Sequence, residues 1–177
     1  IITPPEISEK ALKKVNKMNS QIVDTLEIGF GATHIEYIIT SDDEVYFIEA
    51  HNRGGGIRIS DKVNPLVSGI DSTKCLIFDC LDEKYKNISL DENKNHVLIK
   101  FISLPIGEKF LSVELKNKEK VKDFLVSYKI YAQKGEPLPD IKNGATRHGF
   151  IIVSGDSKKD LYNNFQKVYN QMEFNFV

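Results

Sequence analysis

The stretch from Thr33 to His51 constrains the fold of this chain more than any other. It reads Thr33-His34-Ile35-Glu36-Tyr37-Ile38-Ile39-Thr40, then the polar Ser41-Asp42-Asp43-Glu44, then Val45-Tyr46-Phe47-Ile48-Glu49-Ala50-His51. Aromatic and β-branched residues on both sides of an acidic break form a hairpin signal. A two-residue turn at Asp42-Asp43 and a four-residue loop from Ser41 to Glu44 give the same pairing. In both, Glu36 lies opposite Glu49 and His34 opposite His51. Side chains alternate along a strand, so all four share one face. Facing like charges destabilise a sheet, and a cation between the carboxylates relieves them. Oxygen ligands suit Mg²⁺ or Mn²⁺. With His34 and His51 added, the same face suits Zn²⁺ or Fe²⁺, and His51, nearest the following loop, is the better ligand candidate of the two. In a third reading the imidazoles orient the carboxylates, and in a fourth the face is simply solvated.

The loop after the hairpin extends this chemistry. Arg53 stands four residues past Glu49 and is followed by Gly54, Gly55, Gly56, Ile57 and Arg58. Glycine runs let backbone N–H groups approach an anion, and the two arginines offer fork-shaped donors for carboxylate or phosphate. The alternative is a flexible turn with surface arginines. No Gly-Lys-Ser/Thr follows, so this is not a Walker A loop, and the glycine spacing does not fit a dinucleotide fingerprint.

Elsewhere the pattern gives an α+β chain. Ser8 caps an expected helix over 9–26, with Ala11, Leu12, Val15, Met18, Ile22 and Val23 on one stripe. Ser60 or Asp61 caps a short helix ending near Gly69, and a further helix covers 72–81. Residues 82–95 are polar and read as a surface linker. Strands are expected at 96–103, 110–115, 127–133 and 147–153, a short helix at 118–125, and a closing helix at 157–172 with Leu161, Phe165, Val168 and Tyr169 inward. Arg147-His148-Gly149 precedes a strand and could reach a ligand, but Arg147 reads first as one half of a strand-edge salt bridge. This divides the chain into 1–90 and 91–177.

Composition excludes several classes. The chain has 177 residues, 41% hydrophobic and 28% charged, with a net charge of -1. That balance fits a soluble globular protein and gives no global field for nucleic acid or anionic membrane. No apolar run is long enough to span a bilayer. Cys75 and Cys80 lie in an apolar stretch and read as buried free thiols, which fits a reducing cytoplasm. The first residue is Ile1 rather than methionine, and the expectation is a fragment or a processed piece.

With these residues in place a resemblance emerges. Gly31-Ala32-Thr33-His34-Ile35-Glu36, followed by Phe47-Ile48-Glu49-Ala50-His51-Asn52-Arg53-Gly54-Gly55, resembles the C-terminal half of an ATP-grasp domain, and most of all the L-amino-acid ligase and carbamoyl-phosphate-synthase-like branch. The resemblance implies an antiparallel sheet with flanking helices over 1–90 and a smaller β-rich accessory lobe over 91–177. It implies an ATP- and Mg²⁺-dependent (or Mn²⁺-dependent) carboxylate–amine ligase that proceeds through an acyl phosphate. Glu36 and Glu49 would be the metal ligands and Arg53 the catalytic arginine. Gly54, Gly55, Gly56 and Arg58 would line the nucleotide and substrate side. Many of these enzymes carry asparagine two residues after the second glutamate. Here His51 holds that position and Asn52 follows, so the third ligand is open between them. The implied partners are small-molecule carboxylate and amine substrates and the upstream half of the same enzyme, with no nucleic acid or membrane and with a homodimer left open. A transition-metal enzyme using His34, Glu36, Glu49 and His51, and a non-catalytic α/β binding module, are the competing readings.

Overall fold

The computed structural model describes residues 1–82 and 95–177. The expected linker at 82–95 therefore lies almost wholly outside the described residues. Two compact units emerge. One joins Ile1–Pro4 to Lys94–Val177, and the other is Pro5–Asn93. No helix of the described residues is long and apolar enough to cross a membrane.

In chain order the elements are β1 (Ile2–Thr3), α1 (Glu9–Thr25), β2 (His34–Ile39), β3 (Val45–His51), a π-helical turn (Ile59–Val63), α2 (Asn64–Ser68), α3 (Ser72–Cys80), β4 (His96–Ile102), β5 (Phe110–Leu115), β6 (Leu125–Ile130), β7 (Gly149–Gly155), α4 (Lys158–Tyr169) and β8 (Met172–Phe176). The result is an antiparallel α+β fold, as the sequence implies.

In the first unit, β1, β4, β7 and β6 form an antiparallel sheet in that order, and β5 pairs with β8. β1 joins this sheet by pairing Ile2 with Leu98. β7 is an inner strand, and its run Phe150-Ile151-Ile152-Val153 is buried throughout. An inner strand covered on both faces reads as a continuous apolar run rather than an alternation. Ser157 caps α4, its hydroxyl accepting from the Asp160 N–H at 3.2 Å. The helix lays Leu161, Phe165 and Val168 against Leu98, Ile102, Ile151 and Val153. These three residues recur at helical spacing, so they form one stripe.

Two expectations fail here. The helix at 118–125 is only a 3₁₀ turn, Lys118–Lys120, and Leu125 already begins β6. Val121 is buried and its N–H closes onto Lys118 O, so the chain turns rather than winds on. The closing helix stops at Tyr169, and Met172–Phe176 forms β8, whose register sets Val113 against Phe174 and Leu115 against Met172.

In the second unit, the Ser8 hydroxyl accepts from the Ala11 N–H at 3.0 Å and starts α1 as expected. Ala11 is buried, whereas Leu12 is 45% exposed despite its place on the apolar stripe. Lys14 and Ser8 tie the helix to the hairpin turn, through Glu44 at 2.7 Å and Asp43 at 2.7 Å. Tyr37 donates from its hydroxyl to Asn19 at 2.6 Å on the next turns of the helix. Burial raises the Tyr37 phenol above its ordinary value. Asp71 caps α3. Cys75 and Cys80 are free, but Cys80 is exposed and Cys75 half-buried, because α3 turns only one side inward. The expectation of two buried thiols is corrected accordingly.

Candidate functional site

The hairpin reaches the expected pairing by an unexpected route. Near the turn the pairs are Ile39 with Val45, Ile38 with Tyr46 and Tyr37 with Phe47. These are one residue out of step with the sequence expectation. The cause is an odd loop of Ser41, Asp42 and Asp43, closed by Thr40 N–H to Glu44 O at 2.9 Å, with Asp43 left-handed at φ 65°. A three-residue loop ending in a left-handed residue is a common hairpin connection. A bulge at Ile48 then absorbs one residue, and the register becomes Glu36 with Glu49, Ile35 with Ala50 and His34 with His51. The two irregularities cancel. Glu36 and Glu49 face each other across the strands, on the half of the hairpin away from the turn.

Each glutamate is held along its own strand. His34 Nε2 lies 3.3 Å from Glu36 Oε1, and His51 Nε2 lies 2.9 Å from Glu49 Oε1. An Nε2–H on each ring donates to the carboxylate beside it. Both carboxylates stay about half exposed. Among the described residues, no three His, Cys, Asp or Glu side chains converge as metal ligands. A four-ligand Zn²⁺ or Fe²⁺ centre on His34, Glu36, Glu49 and His51 is therefore not assembled in this structure. The donor set fits instead an ion that draws its remaining ligands from phosphate and water, as Mg²⁺ does.

Asn52 is spent on the loop before β2. With its amide nitrogen turned inward, it donates to Phe30 O at 3.2 Å and Ala32 O at 3.1 Å. It holds Phe30 and Ala32 against the end of the hairpin. Of the two candidates for a third ligand, His51 lies on the glutamate face and Asn52 acts as a clamp.

The glycine-rich loop is more tightly built than its composition suggests. A Cβ on Gly54 would stand 2.2 Å from Ser60 Oγ, and one on Gly55 would press on Ile59 at 3.0 Å and His34 Nδ1 at 3.2 Å. Only Gly56 of the three opens onto free space. Ser60 was expected to cap a helix; its hydroxyl instead donates to Gly55 O at 3.1 Å and pulls the loop closed. Ile57 and Arg58 both adopt left-handed backbone, at φ 51° and 62°. For β-branched Ile57 that is a costly conformation.

The two arginines differ. Arg58 forms a fork-shaped pair with Asp61, Nη2 to Oδ2 at 2.6 Å and Nε to Oδ1 at 3.1 Å. Its charge is met locally. Among the described residues Arg53 makes no ion pair with an acid, and its one hydrogen bond goes to Gly54 O at 3.0 Å. It is the guanidinium beside the glutamate pair that remains available to an incoming anion.

Solved structures share the fold of this chain. L-amino acid ligase from Bacillus licheniformis superposes with a TM-score of 0.79 at 18% identity, over 99% of this chain and 43% of that one. Phosphoribosylglycinamide synthetase from Anaerococcus prevotii gives 0.81 at 17% identity, over 99% and 44%. The fold is that of an ATP-grasp enzyme. Biotin carboxylase from Campylobacter jejuni, solved as a β,γ-ATP complex, gives 0.68 at 16% identity, over 99% and 39%. This chain spans less than half the length of each of these. No protein-family model and no curated protein matches it. The expected ATP-grasp fold, in its C-terminal portion, is borne out as a fold.

Proposed function

We propose that this chain is part of an ATP- and Mg²⁺-dependent carboxylate–amine ligase that forms an amide or peptide bond through an acyl phosphate. The observation that carries the reading is the facing of Glu36 and Glu49 on a hairpin whose next loop presents an acid-free guanidinium, Arg53. Facing carboxylates and a free fork-shaped donor form a charge pattern complementary to a metal-bound polyphosphate.

In this reading Glu36 and Glu49 would hold the metal, and the chemistry it would supply is neutralisation of charge on the phosphates. His34 and His51 keep the two carboxylates aimed across the hairpin by hydrogen bonding along each strand. Arg53 donates its N–H fork to the phosphoryl group as the substrate carboxylate oxygen bonds to phosphorus and the negative charge leaves with ADP; the amine then takes the acyl group, expelling phosphate and giving up a proton. The closed loop of Gly54, Gly55 and Ser60 fixes where Arg53 emerges. Gly56, with open space beside it, lies toward the substrates, which are a small carboxylic acid and an amine. Arg58 shapes the loop through Asp61 and touches the nucleotide only if that pair opens.

The test uses the polypeptide that carries this chain. Glu49→Gln and Arg53→Ala should each lower ATP-dependent ligation and ADP release by about two to three orders of magnitude, with an unchanged melting temperature. Ordinary rates in both variants would leave the non-catalytic module as the reading. Activity retained with Zn²⁺ in the absence of ATP would favour the transition-metal enzyme.

A further inference from the structure

A cleft of about 320 Å³ opens in the unit that contains β6 and β7, lined by Tyr131, Gln133, Glu136, Thr146, Arg147 and His148 among others. None of these residues belongs to the glutamate hairpin. Arg147, expected to form a strand-edge salt bridge, forms none with a described acid. Its guanidinium lies 3.7 Å over the Phe101 ring. A guanidinium stacked by its face keeps its N–H fork free in the plane, where a carboxylate binds in two-point fashion. Glu136 is the other charged lining residue, and it too forms no ion pair with a described residue. The cleft thus holds one unspent cation and one unspent anion, with the half-exposed Tyr131 ring beside them.

The walls are fixed from behind. Buried His148 accepts from the Leu104 N–H at Nδ1, 2.8 Å, and donates from Nε2 to Pro139 O, 2.7 Å. These two partners require the neutral ring with its proton on Nε2. Glu136 O accepts from the Phe110 N–H at 3.2 Å, and Leu138 N–H donates to Glu108 O at 2.9 Å, so the Glu136 side rests on the edge of β5. The Arg147 side rests on a knot in which Thr146 Oγ1 accepts from the Lys142 N–H at 2.8 Å and Asn143 Oδ1 accepts from the Ala145 N–H at 2.9 Å. A cleft with fixed walls and both charges in its lining suits a ligand that carries both.

We propose that this cleft binds a small α-amino acid as its zwitterion, the carboxylate on Arg147 and the ammonium toward Glu136. The site goes beyond the ligase reading and stands whether or not that reading holds.

The experiment is a ¹H–¹⁵N NMR titration of the 177-residue chain with L-alanine, propionate and ethylamine as probes. L-alanine should give saturable shifts confined to amides of residues 131–138 and 144–149, and should bind more tightly than propionate or ethylamine. Arg147→Gln should weaken L-alanine by about tenfold or more, and Glu136→Gln should reduce it to the affinity of propionate. Glu136 is exposed, so that variant keeps the fold, and the dispersion of the same spectra reports folding for Arg147→Gln. Arg147→Lys supplies a charged replacement if Gln fails to fold, and should still bind more weakly than the native chain. Absence of saturable shifts with the native chain would overturn the proposal. So would equal affinity for L-alanine and propionate, or unchanged affinity in folded Glu136→Gln.

Discussion

The two units stabilise themselves by different means. In the unit built on β4, β6 and β7, the central strand is buried over four consecutive residues and α4 covers it with a regular stripe. In the unit of Pro5–Asn93, only Ala11 and Val63 of the described residues are fully buried apolar side chains, and Ile38, Tyr46, Phe47 and Ile48 of the hairpin are about half exposed. There the structure rests on specific polar ties: Ser8 and Lys14 to the turn, Tyr37 to Asn19, Asn52 to Phe30 and Ala32, and Ser60 to Gly55. Area burial is non-directional and tolerates variation. Polar ties fix positions, which is what a pair of facing carboxylates needs. The unit with the proposed phosphoryl chemistry is the one held by geometry more than by mass of core.

The contrast is broken most directly by truncation. Leu161 of α4 is fully buried against the sheet, and Leu161→Ala should cost about 2–5 kcal/mol in denaturant unfolding. Ile48→Ala, at a 49% exposed position on the hairpin, should stay within about 0.5 kcal/mol. Equal losses would mean that the hairpin depends on burial as much as the larger sheet does.

Substitution in the glycine loop sharpens the same contrast. Gly54→Ala drives a methyl into Ser60 and should cost about 1–3 kcal/mol, as overpacking does. Gly56→Ala meets nothing within 4 Å and should be close to neutral. Melting temperature and amide exchange over residues 54–60 read both. If the two alanines behave alike, the loop is not the closed lock that the Ser60 bond describes.

How much of this was legible in sequence follows the range of the forces involved. The caps at Ser8, Asp71 and Ser157 are local, and those helices start where the sequence places them. The facing of Glu36 and Glu49 was legible from alternation and a turn signal. Its route was not, because Val45 to Ile48 is apolar throughout and carries no mark of a bulge. β8 was missed because its partner, β5, lies far back in the chain and no turn signal joins them. The 118–125 helix was misjudged because its charges suggest a solvated helical face, whereas the burial of Val121 decides the backbone. Ser60 and Asn52 looked like a cap and a ligand. Each is taken up by a carbonyl that only the folded loop brings near.

The smallest expected effect tests the turn that sets the hairpin register. Thr40 donates from its hydroxyl to Asp42 Oδ1 at 2.5 Å and accepts from the Glu44 N–H at 3.1 Å. The Thr40 hydroxyl, foremost among several donors and nearby lysines, holds the Asp42 carboxyl below its ordinary value. A carboxyl depressed in the folded state stabilises it above the unfolded value, near 4, and loses that contribution as pH falls through the folded value. Acid should therefore loosen the turn before the buried sheet. Thr40→Ala should move the Asp42 titration, followed by NMR, up toward the ordinary carboxylate range and erase this acid-sensitive step. It should leave Glu36 opposite Glu49, because the bulge at Ile48 separates that pair from the turn. Loss of cross-strand contacts between His34 and His51 in this variant would show that the turn, and not the bulge, holds the glutamates in register.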